Sequence, residues 1–157
     1  MSNTHSSFCK LGGFNFSLGD IRHGILRCNR KPPANFWGRQ LEGSDPRIQF
    51  RLHIRDPRSL LVLIDSCAPI PPPSQSPVLK PGRTDTDLEH YAEQYCSNYV
   101  AVDECAHELR LPKLFRVYVE DFGSSEAEMI GWLAQYIRKA PSDILRYRVR
   151  YAHGILV

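Results

Sequence analysis

A cysteine hydrolase needs a thiolate nucleophile, a histidine near enough to take its proton, and a third group that orients the histidine. This chain holds one such set: Cys67 as nucleophile, His23 as base, and Asp65 or Asp121 as the orienting carboxylate. Cys67 closely follows the apolar run 60–64, where a loop would expose its thiol. A plainer reading competes. Asp20 and Arg27 stand at i−3 and i+4 from His23, so the imidazole has partners within its own helix without any catalysis. Cys67 is followed by Ala68-Pro69, which suits a packed thiol in a turn.

Other chemistry is thinner. The five cysteines, Cys9, Cys28, Cys67, Cys96 and Cys105, contain no CxxC pair, so a redox role lacks a local second thiol. His53, Cys67 and His107 are single, scattered metal-ligand types without zinc spacing, and neither metal nor cofactor is expected. Glu120-Asp121 closes the predicted helix that Pro112 opens, where two acids oppose the macrodipole. They are expected to contact the basic N-terminal half, through Arg27 or Arg47, as a structural clasp; the competing reading is a carboxylate at a ligand pocket.

The elements that must position these residues follow from punctuation and periodicity. Residues 1–13 read as a loose lead-in to one domain over 14–157. Ser17-Leu18-Gly19-Asp20 matches a capping box, with Phe16 and Ile21 at the staple positions, and opens a short helix to about Arg27. Residues 28–45 hold Pro32-Pro33, Trp37-Gly38 and Gly43-Ser44 and read as a loop pinned by aromatics. Two Asp-Pro-Arg tripeptides, 45–47 and 56–58, each precede an apolar stretch. Residues 48–54 alternate strictly and predict a half-exposed strand; residues 60–64 are continuously apolar and predict a buried one, the two forming a hairpin. Six prolines between Pro69 and Pro81 exclude helix and central strand from the loop 68–82.

Thr86-Asp87-Leu88-Glu89 is a second capping box, opening a helix to about Ser97 with Leu88, Tyr91, Ala92, Tyr95 and Cys96 on its core face. Residues 99–103 and 108–111 predict a hairpin. Pro112 at N1 then starts a helix stopped by a left-handed Gly123, and Ser125 starts a last helix that ends before Pro141, with Arg138 and Lys139 suiting its C-terminal dipole. Residues 147–151 predict a final edge strand.

Composition bounds the function classes. Apolar residues are 42% and charged ones 24%, ordinary values for one core in 157 residues. No apolar run approaches the roughly twenty residues that span a bilayer, and the N-terminus shows no secretory signal. A cytoplasmic or nuclear setting follows, in which the cysteines stay thiols. Residues 1–84 carry twelve Lys/Arg against five Asp/Glu, and 85–157 carry eight against twelve, so +7 and −4 give the net +3. The nine basic residues from Arg22 to Arg58 are spread through turns, a pattern that argues against specific nucleic-acid binding.

The ordered blocks Phe16 to Arg27, Asp-Pro-Arg before an apolar run, a Ser66-Cys67 and proline turn, then Leu111-Pro112-Lys113-Leu114-Phe115 and Asp121-Phe122-Gly123 resemble domain-of-unknown-function family 547 over roughly residues 14–123. The resemblance implies a module found alone, behind glutaredoxin or DEP domains, or at the end of plant leucine-zipper proteins. Three departures mark this chain. The family's Asn-Leu-Tyr-Asn-like first helix would fall just before Met1. The Cys-Gly-Ala-Lys-Ser-Cys-Pro-Pro turn becomes Asp65-Ser66-Cys67-Ala68-Pro69, and Tyr151-Ala152-His153-Gly154 replaces the usual ending. A truncated or divergent member is expected. The combined reading is an α+β domain, a small antiparallel or mixed sheet of short strands under about four helices. It acts as a non-catalytic scaffold or protein-interaction module with a protein partner, the Cys67/His23 thiol hydrolase or transferase being the alternative.

Overall fold

The computed structural model describes residues 8–33, 39–65 and 79–152. The chain divides into two compact units, Met1–Asp56 and Pro57–Val157.

In the first unit β1 (Phe8–Leu11) and β2 (Phe14–Ser17) form an antiparallel hairpin, so a strand stands in part of the expected loose lead-in. Its two-residue turn is Gly12-Gly13, with φ +56° and +86°. That left-handed pair matches the twist of the flanking strands and is open to glycine at little cost. Phe16 is fully buried and meets the Phe50 ring edge-on at 5.6 Å between centroids. The Ser17 capping box forms: Asp20 N donates to Ser17 Oγ at 3.1 Å, and Ser17 N donates to Asp20 Oδ2 at 2.9 Å. The helix it opens is wound with π geometry over Asp20–Leu26, and Arg27 N reaches back to Arg22 O at 3.1 Å.

Helices open at both Asp-Pro-Arg tripeptides, where strands were predicted to follow, and residues 51–54 beyond the first are irregular. Residues Pro46–Phe50 make a 3-10 helix in place of the strand 48–54, and α1 (Pro57–Asp65) replaces the strand 60–64. The cause is the tripeptide itself. Asp45 accepts from Arg47 N at 2.9 Å as an N-cap, and proline at the first helical position loses only a donor that has no partner there. A continuous apolar run fits a buried helix as well as a buried strand, so the start signal decides.

In the second unit α1 packs beside α2 (Thr84–Tyr99), and Arg58 ties them with 2.7 Å bonds to Asp85 and Glu89. The α2 helix starts two residues before the Thr86 capping box, which therefore lies inside it; the anticipated core face, Leu88, Tyr91, Ala92, Tyr95 and Cys96, is buried. β3 (Ala101–Asp103) pairs antiparallel with β4 (Glu108–Pro112), and β5 (Arg148–Ala152) pairs parallel with β4. The sheet is mixed, in the order β3-β4-β5.

The helix after Pro112 is broken at Tyr118 into α3 (Lys113–Val117) and α4 (Val119–Phe122). Gly123 is not left-handed. Its φ of 178° is extended, and glycine is needed there because a Cβ would lie 2.6 Å from Glu128 Cβ and 2.9 Å from Met129 N. α5 (Glu126–Ala134) is capped by Ser125 and ends well before Pro141, so Arg138 and Lys139 stand beyond its last turn. The whole is an α+β fold of short strands in a two- and a three-stranded sheet.

Candidate functional site

His23 sits in the π-wound helix with no solvent exposure. Its Nδ1 lies 2.9 Å from Nη1 of Arg27, itself only 5% exposed. A guanidinium only donates, so Nδ1 accepts and the proton of the neutral ring resides on Nε2. Burial, then the positive charges of Arg27 and Arg22, push the imidazole down to about 4, leaving it neutral near pH 7. Arg27 also donates to Lys31 O at 3.2 Å, holding the chain as it leaves the helix through Cys28 and Asn29, both left-handed.

Among the described residues, an amide pins the loop beyond. Asn29 Nδ2 donates to Leu41 O at 2.9 Å while Leu41 N donates to Asn29 Oδ1 at 2.8 Å, and Gln40 Nε2 reaches Asn29 O at 2.7 Å. Sequence reasoning missed Asn29; an asparagine three residues before Pro32-Pro33 was the available signal. Trp37 lies outside the described residues.

Arg47 is the hub of the first unit. Its Nε and Nη2 grip Asp45 at 3.0 and 2.7 Å, and Nη1 donates to Asp20 Oδ2 at 3.1 Å and to Asn15 O at 3.2 Å. Its cationic carbon lies 5.7 Å from the centroid of the Phe16 ring. One guanidinium so joins β2, the helix cap and the 3-10 helix, and its hydrogen bonds hold Asp45 down at about 2. Beside it opens a cleft of about 410 Å³ lined by Phe14, Arg39, Leu41, Glu42, Asp45 and Arg47 among others. Its lining mixes both charge signs with the apolar Phe14 and Leu41.

Of the proposed catalytic set, Cys67 lies outside the described residues, and Asp65 is the last residue of α1. Asp121 is buried in α4 at 7% exposure, and Glu120 beside it is exposed. The break at Tyr118 places both acids in a helix of a single turn, α4, instead of at the end of one long helix dipole. His53 and His107 are exposed, and among the described residues no group of three or more His, Cys, Asp and Glu could hold a metal ion. No helix among the described residues is long and apolar enough to cross a membrane.

A family model described as "Protein of unknown function, DUF547" matches residues 1–96, more than half of the chain. The match takes in His23 to Arg27 and both Asp-Pro-Arg helix starts, and it stops inside α2, before the block 111–115. No curated protein and no solved structure matches.

Proposed function

The chain belongs to the DUF547 family of proteins of unknown function, and from that premise we propose that it is a non-catalytic scaffold or protein-interaction module. The observation that carries this reading is His23. A general base must reach its substrate's proton and have a pKa near the working pH. An imidazole with no exposure, its Nδ1 engaged by Arg27 and its pKa held near 4, has neither property. Its geometry serves the helix and the loop after it. Asp20, Arg27, Asn29 and Arg47 likewise tie backbone to backbone within the first unit. We place the module in the cytoplasm or nucleus, where cysteines that are free in the described residues, such as Cys9 and Cys105, remain thiols.

The test is competitive alkylation of the folded chain with iodoacetamide at neutral pH, read by mass spectrometry. Labelling of Cys67 no faster than that of exposed Cys9 and Cys105 supports the reading. Selective, rapid labelling of Cys67 would instead establish an activated thiolate and favour the thiol-dependent hydrolase or transferase.

A further inference from the structure

We infer that the outer edge of β5 is a docking strand for an extended acidic segment of a partner protein, added to the sheet as a further strand. The inference rests on the scaffold reading and gives it a partner chemistry. Among the described residues β5 pairs only with β4, so one side of its backbone is without a strand neighbour. The register settles which groups face that side. Arg148 pairs with Glu108, and Arg148 N donates to His107 O at 2.9 Å, so Arg148, Arg150 and Ala152 direct their backbone groups toward β4. By alternation the N–H and C=O of Val149 and Tyr151 point away from the sheet, with the spacing a strand partner needs.

The side chains state which partner fits. Along β5 the exposed positions are Arg148, Arg150 and Ala152, and the two arginines share a face with Arg110 of β4. Arg110 lies 3.7 Å from Asp103, and Arg150 Nε bonds Glu108 at 3.1 Å with more than half of its own side chain exposed. Neither Arg146 nor Arg148 has a side-chain hydrogen bond or ion pair among the described residues, and both are exposed. An incoming strand bonded to Val149 and Tyr151 would set its alternate side chains beside Arg148 and Arg150, close enough for cross-strand charge pairs. Acidic residues at every second position meet that pattern. A second copy of β5 does not, because it would bring arginine against arginine, the device by which charged edges prevent self-pairing. The opposite edge, β3, is only three residues long and carries Asp103.

The experiment is fluorescence anisotropy of a labelled peptide with alternating Glu and Val, titrated with the full 157-residue chain at neutral pH. Four further probes accompany it: the same peptide with Lys for Glu, the same peptide N-methylated at alternate residues, the chain carrying Val149→Pro and the chain carrying Arg148→Glu. The acidic peptide is expected to bind, more weakly as salt rises, and the Lys and N-methylated peptides to fail. Among backbone hydrogen-bonding groups Val149→Pro removes only an outward N–H, and it is expected to abolish binding while the chain still melts cooperatively. Arg148→Glu is expected to weaken binding by about fivefold or more. Absence of binding, equal binding of the N-methylated or Lys peptide, or self-association without peptide binding overturns the inference. Each of those outcomes leaves the scaffold reading to the alkylation of Cys67, which is read separately.

Discussion

His23 shows how a residue type and its surroundings part company. In sequence it is a candidate base; in the structure it is a buried neutral ring against a guanidinium. Its folded pKa of about 4 lies below the ordinary 6.5, so as pH falls the unfolded chain takes up the proton first. The stability this ring contributes is whole above about pH 6.5 and is lost progressively down to about pH 4, by roughly 3 kcal/mol. Urea titrations at a series of pH values should show that loss, and a His23→Asn chain, compared over the same range, should show a flatter profile. Arg47 makes the second case at this scale. A lysine has one point of charge where Arg47 uses a planar fork on Asp45 and Asp20. Arg47→Lys is therefore expected to lower the melting temperature by a few degrees, measured by far-UV circular dichroism, with the loss persisting at moderate salt because neutral contacts such as Asn15 O go too.

Helices and strands here are decided mainly at their first residues. The Ser17 box, the Ser125 cap and the β3-β4 hairpin were legible because each is written in local chemistry. The alternation over 48–54 and the apolar run 60–64 suggest strands, but Asp-Pro opens a helix before each, because a proline-led N-terminus fixes the first turn whatever follows it. Gly123 follows the helix as expected, but its backbone is extended and not left-handed. Its lack of a side chain makes room for the start of α5, where Ser124 N and Oγ both bond Glu128 at 2.7 Å. Gly123→Ala should cost about 1–3 kcal/mol by forcing that turn outward, whereas alanine at Gly43, where a Cβ would meet nothing within 4 Å, should cost far less in the same urea titration. Gly12→Ala adds the strain of a left-handed φ of +56° to a clash with the Phe50 ring and should loosen the hairpin.

At the scale of the molecule the four cysteines among the described residues form a graded set of reporters. Cys9 and Cys105 are exposed, Cys28 is half-buried, and Cys96 is 2% exposed with its thiol pushed up to about 12 by burial. Timed alkylation at neutral pH should label Cys9 and Cys105 first, Cys28 later, and Cys96 only when denaturant unfolds α2; early labelling of Cys96 would mean that the core face of α2 opens without global unfolding. The sequence by itself determined the α+β class, the family, the buried face of α2 and the Ser17 and Ser125 caps, because the patterns that carry them are written in residues a few positions apart. Tertiary structure alone decided that β5 runs parallel to β4, that the long helix breaks at Tyr118, and that Arg47 closes on Asp20 from 27 positions away. It also decided that the one candidate base is sealed from solvent. Burial and long-range pairing are properties of what the fold brings together, and no local pattern in the chain encodes them.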